Sequence, residues 1–314
     1  MAATDHTLEP PLDGLKAEPL LRRPIGRKLR AFGTTFLLLL PGVGWLAVFV
    51  LVPLGFTVVL SFWKSTIFGT SPDFQFGNYE QIIAAPLYRE LLLKTLRIAV
   101  ATTLISLAVS YPIAYFLSLQ PTGRKVVLAL LLFLPFWTSY VVRTFVWLPI
   151  LGTTGAINQL LLWLGVIDQP IGWLLYNEGT VYLGLVYVYT LFMTLPIFLS
   201  IEKIDPRLIE AASDLGARPL WVFLRIILPL SWPGVLSGSI MVFLLSMSAY
   251  VTPQLLGGPS GIMFSNMIAA QFLSNNNWAQ GAALSVVLSV LVLLLLAGAG
   301  RWIGLQQVFM GGRS

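Results

Sequence analysis

Glu210 to Pro229 reads EAASDLGARPLWVFLRIILP and lies between two strongly apolar runs while carrying both signs of charge. A segment of that kind belongs to a structured loop outside a membrane rather than to a span. Glu210, Ala211 and Ala212 are followed after three residues by Gly216 and after nine more by Ile226, with Leu228 and Pro229 closing the pattern. From Pro206 to Leu215 the residues are good helix formers. Asp205 is placed to cap that helix, Pro206 suits its first turn and Gly216 ends it. Ala211, Ala212, Leu215 and Ala217 are small or apolar, whereas Glu210, Asp214 and Arg218 are charged. The predicted helix therefore offers a shallow apolar strip with a charged rim, suited to insertion into a partner's groove. Packing of the strip on its own chain is the alternative.

Composition decides the solvent around the rest of the chain. Of 314 residues 57% are hydrophobic and only 10% are charged, with a mean hydropathy of +0.83. This is too apolar for a soluble domain of that size, so an all-α integral membrane protein is expected. There is no cysteine, hence no disulfide framework and no thiolate metal or redox site. His6 is the single histidine and lies in a polar tail, which excludes a histidine-based metal centre or proton relay. The net charge of +6 sits in loops and tails, where membrane topology explains it without a nucleic-acid partner.

Taken in order, residues 1–30 form a polar tail ending in Arg22, Arg23, Arg27, Lys28 and Arg30, expected to be disordered and cytoplasmic. A six-span membrane domain follows over 31–305, with a short cytoplasmic tail at 306–314. Its expected spans are 31–62, 91–119, 126–148, 181–201, 233–256 and 281–300, with prolines 41, 53, 112, 135, 196 and 253 as bends. Residues 151–179 hold no Lys or Arg, and an apolar period at Ile157, Leu160, Leu161 and Leu164 predicts a short surface helix there. The 75 residues between Arg225 and Arg301 carry no charge and must fold back on themselves. GGPSG at 257–261 and SNNNW at 274–278 divide them, leaving a short helix or re-entrant piece around 262–272. Residues 202–229 are the loop between the fourth and fifth spans.

In this six-span scheme fourteen of the 19 basic residues fall on the side of the termini and the Glu210 loop, and only Lys64 and Arg89 on the other. That asymmetry predicts a multi-pass protein with both termini and the Glu210 loop in the cytoplasm.

No GxxxxGK[ST] is present to cradle ATP, and no expected span contains an Asp or Glu to couple transport to protons or sodium. Energy must then arrive from another polypeptide, and a rigid loop helix between two spans is the place to receive it. The Glu210–Pro229 pattern resembles the EAA loop of permease subunits of binding-protein-dependent ABC importers. The runs 134–161 (LPFWTSYVVRTFVWLPILGTTGAINQLL), 210–217 and 250–258 (YVTPQLLGG) resemble the spermidine/putrescine-type permeases in particular, over nearly all of 31–305. The resemblance implies a type I importer permease, a transport subunit rather than an enzyme. It implies two ATPase subunits that carry ATP and Mg, a second homologous permease and an extracytoplasmic binding protein. It also implies that Glu210, Ala211, Ala212, Asp214, Leu215, Gly216 and Ala217 form the coupling helix seated in the ATPase.

For the translocation path the polar candidates are Ser139, Tyr140, Arg143, Tyr187, Tyr250 and Thr252. Arg143 is either an interfacial anchor or a path residue. A polyamine is the preferred solute, with its acids supplied by the second permease, by Asp168 or Glu178, or by the binding protein. An importer of amino-acid derivatives or opines, or a membrane scaffold that recruits a cytoplasmic partner, are the alternatives.

Overall fold

The computed structural model describes residues 25–66 and 69–303. Of the tails expected over 1–30 and 306–314, residues 1–24 and 306–314 lie outside the described residues, whereas 25–30, expected to be disordered, are helical. The described chain divides into two units, up to Gly55 and from Phe56 onward. The first holds most of α1, Ile25–Leu60, a helix that starts six residues before the expected span and contains Pro41 and Pro53 without ending at either.

In the second unit a short antiparallel hairpin, β1 (Lys64–Thr66) and β2 (Gly69–Ser71), precedes α2 (Gly77–Ala84) and α3 (Pro86–Ser118). Asn78 fastens this region by donating from Nδ2 to the carbonyls of Ser61 (2.8 Å) and Trp63 (2.9 Å). After α4 (Thr122–Phe133) the chain departs from the expected third span at 126–148. Pro135 lacks an N–H to continue the helix, and LPFW forms a 3₁₀ turn over Leu134–Trp137. Thr138 and Ser139 are extended, and helix resumes as α5 (Tyr140–Phe145), α6 (Trp147–Leu151) and α7 (Ala156–Trp163). The helical stretch of this region with the length and apolarity to cross a membrane is Tyr140–Trp163, fourteen residues further along than expected. In the sequence Pro135 reads as a kink within one span. In the structure it closes one helix before the next begins.

α8 (Glu178–Glu202) is capped by Asn177, whose Oδ1 accepts from the Thr180 amide at 3.1 Å. α9 (Pro206–Asp214), α10 (Pro219–Val222), a π-turn (Phe223–Ile227) and α11 (Leu228–Leu230) follow, and then α12 (Trp232–Met247). α12 stops short of the expected end at 256, because residues 248–250 interrupt the helix before α13 (Val251–Leu256). α14 (Gly258–Gly261), α15 (Phe264–Leu273) and α16 (Trp278–Ile303) complete the described chain. Among the described residues five helical stretches are long and apolar enough to span a bilayer, or six if the 219–230 and 232–247 segments, bent by 61°, count as one.

The core forms where α3, α8 and α12 pack together. Ile98, Leu185, Met193, Ile197 and Val242 are fully buried in it. A second cluster of Ile82, Leu91, Phe264, Ala283 and Leu284 joins α2, α3, α15 and α16. Side chains of this kind contribute roughly 1.5–3 kcal/mol each when removed from water. Inside a bilayer close packing has to supply the specificity, because lipid is as apolar as the core.

Candidate functional site

Three groups of residues stand out, and the first is α9 itself. Asp205 accepts the Arg207 amide at 3.0 Å and Pro206 begins the helix, so its start follows from local chemistry. Its end follows from Gly216, whose φ of +78° lies in the left-handed region that a side chain disfavours. The Ala217 amide closes the end on the Ala212 carbonyl at 3.0 Å. Ala212 and the partly buried Ile209 and Ala217 turn toward the chain's own core, whereas Leu215 is 89% exposed. Leu208, Ala211, Leu215, Gly216, Arg218 and Trp221 border an open groove of about 650 Å³. The predicted strip is thus split, with one edge packed internally and the other unfilled.

The second group surrounds the interruption between α12 and α13. Pro253 cannot donate to the Ala249 carbonyl four residues back, which releases that oxygen in an apolar setting. The Ser265 hydroxyl from α15 donates to it instead. Asn266 Nδ2 donates to the Tyr250 carbonyl (3.0 Å) and to Gln254 Oε1 (3.2 Å), and its Oδ1 accepts the Met263 amide (3.1 Å). The non-helical turn is therefore fully supported from one side. On the other side the Tyr140 hydroxyl and Thr252 Oγ1 share a hydrogen bond of 2.7 Å, and the Tyr189 hydroxyl donates to the Leu245 carbonyl at 3.1 Å. Two predicted path residues, Tyr140 and Thr252, meet here, and Tyr250 forms the turn itself. Close approach depends on Gly184 of α8, where a Cβ would fall 2.6 Å from Thr252 Cγ2 and 2.9 Å from Leu256 Cδ1.

The third group lines a cleft of about 610 Å³ that contains Phe136, Arg143, Trp147, Tyr182, Tyr187 and Thr190. Arg143 lays its guanidinium over the Phe136 ring, 4.2 Å from the centroid. Its Nε is buried without a hydrogen-bond partner among the described residues. Trp147 and Tyr187 meet edge to face with centroids 5.6 Å apart. At Tyr182 the cleft reaches a charged cluster, because that hydroxyl donates to Glu178 Oε1 at 2.8 Å. Arg97 Nη2 also binds both Glu178 oxygens, at 2.8 and 2.7 Å. Glu178 is thus already neutralised by its own chain. Ser139 remains exposed at the start of α5 and joins neither group.

Ser265, Asn266, Gln254, Trp147, Arg97 and Tyr182 are absent from the sequence-based set, and Glu178, expected as a candidate acid for the solute, is instead paired with Arg97 and Tyr182. Of these only Ser265 has a signal in the sequence, since Pro253 leaves the Ala249 carbonyl in need of a donor. Among the described residues no three or more of His, Cys, Asp and Glu gather as a metal site would require.

Comparison with known proteins agrees with this architecture. The chain is 40% identical over 255 residues to the spermidine/putrescine transport system permease protein PotB of Escherichia coli (strain K12), covering 81% of this chain and 92% of that one. Its fold matches a crystal structure of a bacterial ABC transporter involved in the import of the acidic polysaccharide alginate, with a TM-score of 0.71 at 17% identity, over 88% of this chain and 97% of that one. A second structure, of the alginate transporter in complex with an alginate pentasaccharide-bound periplasmic protein, matches with a TM-score of 0.68 at 18% identity, over 88% and 96% of the two chains. A family model described as the binding-protein-dependent transport system inner membrane component matches residues 17–300, and the chain belongs to that family.

Proposed function

We propose that this permease subunit receives its driving force through α9, seated in a cleft of a separate ATPase subunit that holds ATP and Mg. The observation that carries the reading is the exposed edge of α9, with Leu215 bare beside a groove that its own chain leaves unfilled. Ala211, Leu215 and Gly216 border that groove, Glu210 and Asp214 would supply charges on the same helix, and Ala212 and Ala217 tie the helix to the core, so a push on α9 reaches α8 and α12. The full assembly would contain two ATPase subunits, a second homologous permease in a heteromeric pair and an extracytoplasmic binding protein, with α9 and both termini of this chain in the cytoplasm. The excess of basic residues on that side supports the orientation.

A polyamine is the solute class suggested by the relatives' name, and the aromatic rings of Trp147, Tyr182 and Tyr187 suit ammonium groups. Tyr140, Tyr250 and Thr252 would give the path a polar edge, with Ser139 at its margin. One observation favours a second reading, an amino-acid derivative or opine. Arg143 has no carboxylate partner among the described residues, and such a solute would bring one. In reconstituted complexes, Gly216→Trp is expected to abolish stimulation of ATP hydrolysis by the loaded binding protein while the subunit stays folded. Normal stimulation would remove the coupling role. Calorimetric binding of spermidine and of an opine to the cognate binding protein separates the two solute readings.

A further inference from the structure

The segment after α9 has two unlike faces. One is packed, with Val222 and Ile227 buried and Phe223 held edge-on between Tyr111 and Tyr115 of α3 at centroid distances of 5.6 and 5.2 Å. Tyr111 also shares a 2.8 Å hydrogen bond with Ser231, at the 61° bend into α12. The other face carries Leu220, Trp221, Leu224, Arg225 and Trp232, all exposed, with the Arg225 guanidinium 5.6 Å from the Trp221 ring centroid. Leu220, Trp221, Leu224 and Arg225 lie within little more than one turn across α10 and the π-turn, and Trp232 stands just past the 61° bend.

Large apolar side chains on an unpartnered face need a cover, and three observations identify it. The face leads directly into α12, and the two segments together have the length and apolarity of a membrane span bent by 61°, which sets the face beside a bilayer. It has a tryptophan toward each end, the residue whose amphipathic ring favours the headgroup level. Its charge is of one sign, because Arg218 and Arg225 are cationic and no Asp or Glu occurs anywhere after Asp214. A partner protein at α9 meets both signs of charge. The next helix offers only cations, apolar chains and indoles.

We infer that residues 219–232 form an interfacial anchor that lies in the headgroup region of the inner leaflet and binds anionic phospholipid through Arg225, with Arg218 and Trp221 at the seam that this segment shares with the α9 groove. The inference rests on the reading of α9 as cytoplasmic. It divides the loop by labour, with α9 gripping the ATPase and α10–α11 gripping the membrane, so that movement of α9 is levered against the bilayer.

The chain has no cysteine, so single spin labels can be placed without background. In the full complex in phosphatidylglycerol-containing nanodiscs, a label at Leu224→Cys is expected to relax readily with oxygen and poorly with nickel-EDDA, and one at Leu208→Cys to show no such preference. A Leu224→Cys label reached equally by both reagents, or shielded from both, would overturn the anchor. Replacing phosphatidylglycerol by phosphatidylcholine is expected to lower coupled uptake several-fold. Arg225→Gln should remove roughly a fivefold share of that lipid dependence, whereas Arg225→Lys should keep it. Equal lipid dependence in the Gln variant would also contradict the proposal. Sidedness of Leu208→Cys, read with an impermeant maleimide, tests the cytoplasmic reading separately from the depth at 224.

Discussion

The Tyr140 hydroxyl lies 2.7 Å from Thr252 Oγ1, joining α5 to α13 across 112 residues of sequence. It bridges the two interrupted stretches of the bundle, one begun by Pro135 and the other by Pro253. The bond ties together two helices that also pack against each other. Thr252→Val keeps the shape of the side chain and leaves the Tyr140 hydroxyl without its partner. The expected loss is about 1–2 kcal/mol of stability, read as a lower melting temperature in detergent, with Tyr140→Phe and the double variant completing a cycle. Additivity of the two would show that the bond contributes nothing.

Asn266 supports the turn at Tyr250 by three hydrogen bonds, including acceptance of the buried Met263 amide. Asn266→Ala strips these and leaves buried groups unsatisfied. A destabilisation of about 2–3 kcal/mol is expected, larger than that of Thr252→Val, measured by the same thermal unfolding.

Gly184 has no room for a side chain against Thr252 and Leu256. Gly184→Ala should cost about 1–3 kcal/mol through overpacking, and Thr252→Ser in the same chain should restore part of it by removing the methyl in conflict. Absence of rescue would mean that α8 and α13 approach elsewhere.

Arg97 and Glu178 pair with side chains 64% and 26% exposed, where solvent screens the attraction. Glu178→Gln is expected to change stability by less than about 1 kcal/mol. Its melting temperature should also respond less to salt than that of the unaltered chain, which a titration from low to high ionic strength reads directly.

The start and end of α9 were legible because capping and glycine chemistry act over three or four residues, and Asp205, Pro206 and Gly216 state both limits. The long apolar helices α3, α8 and α16 were legible for a similar reason, since their charge-free runs leave few alternatives. The third stretch was not. Pro135 looks the same in a kinked helix and in a break, and only the 3₁₀ geometry of Leu134–Trp137 distinguishes them. Likewise Pro253 announced a freed carbonyl, but its partner Ser265 lies sixteen residues beyond Ala249 and in another helix. The pairing of Glu178 with Arg97, 81 residues apart, belongs to tertiary structure and has no local trace.

The central claim is that α9 lies inside the cell and is gripped by an ATPase subunit. Leu215, 89% exposed at its end, is the position to ask. A Leu215→Cys variant, in a chain with no other cysteine, is predicted to react with a membrane-impermeant maleimide in inside-out vesicles only, and to be protected when the ATPase subunits are bound. Labelling from the outside, or labelling unaffected by the ATPase, would contradict the account.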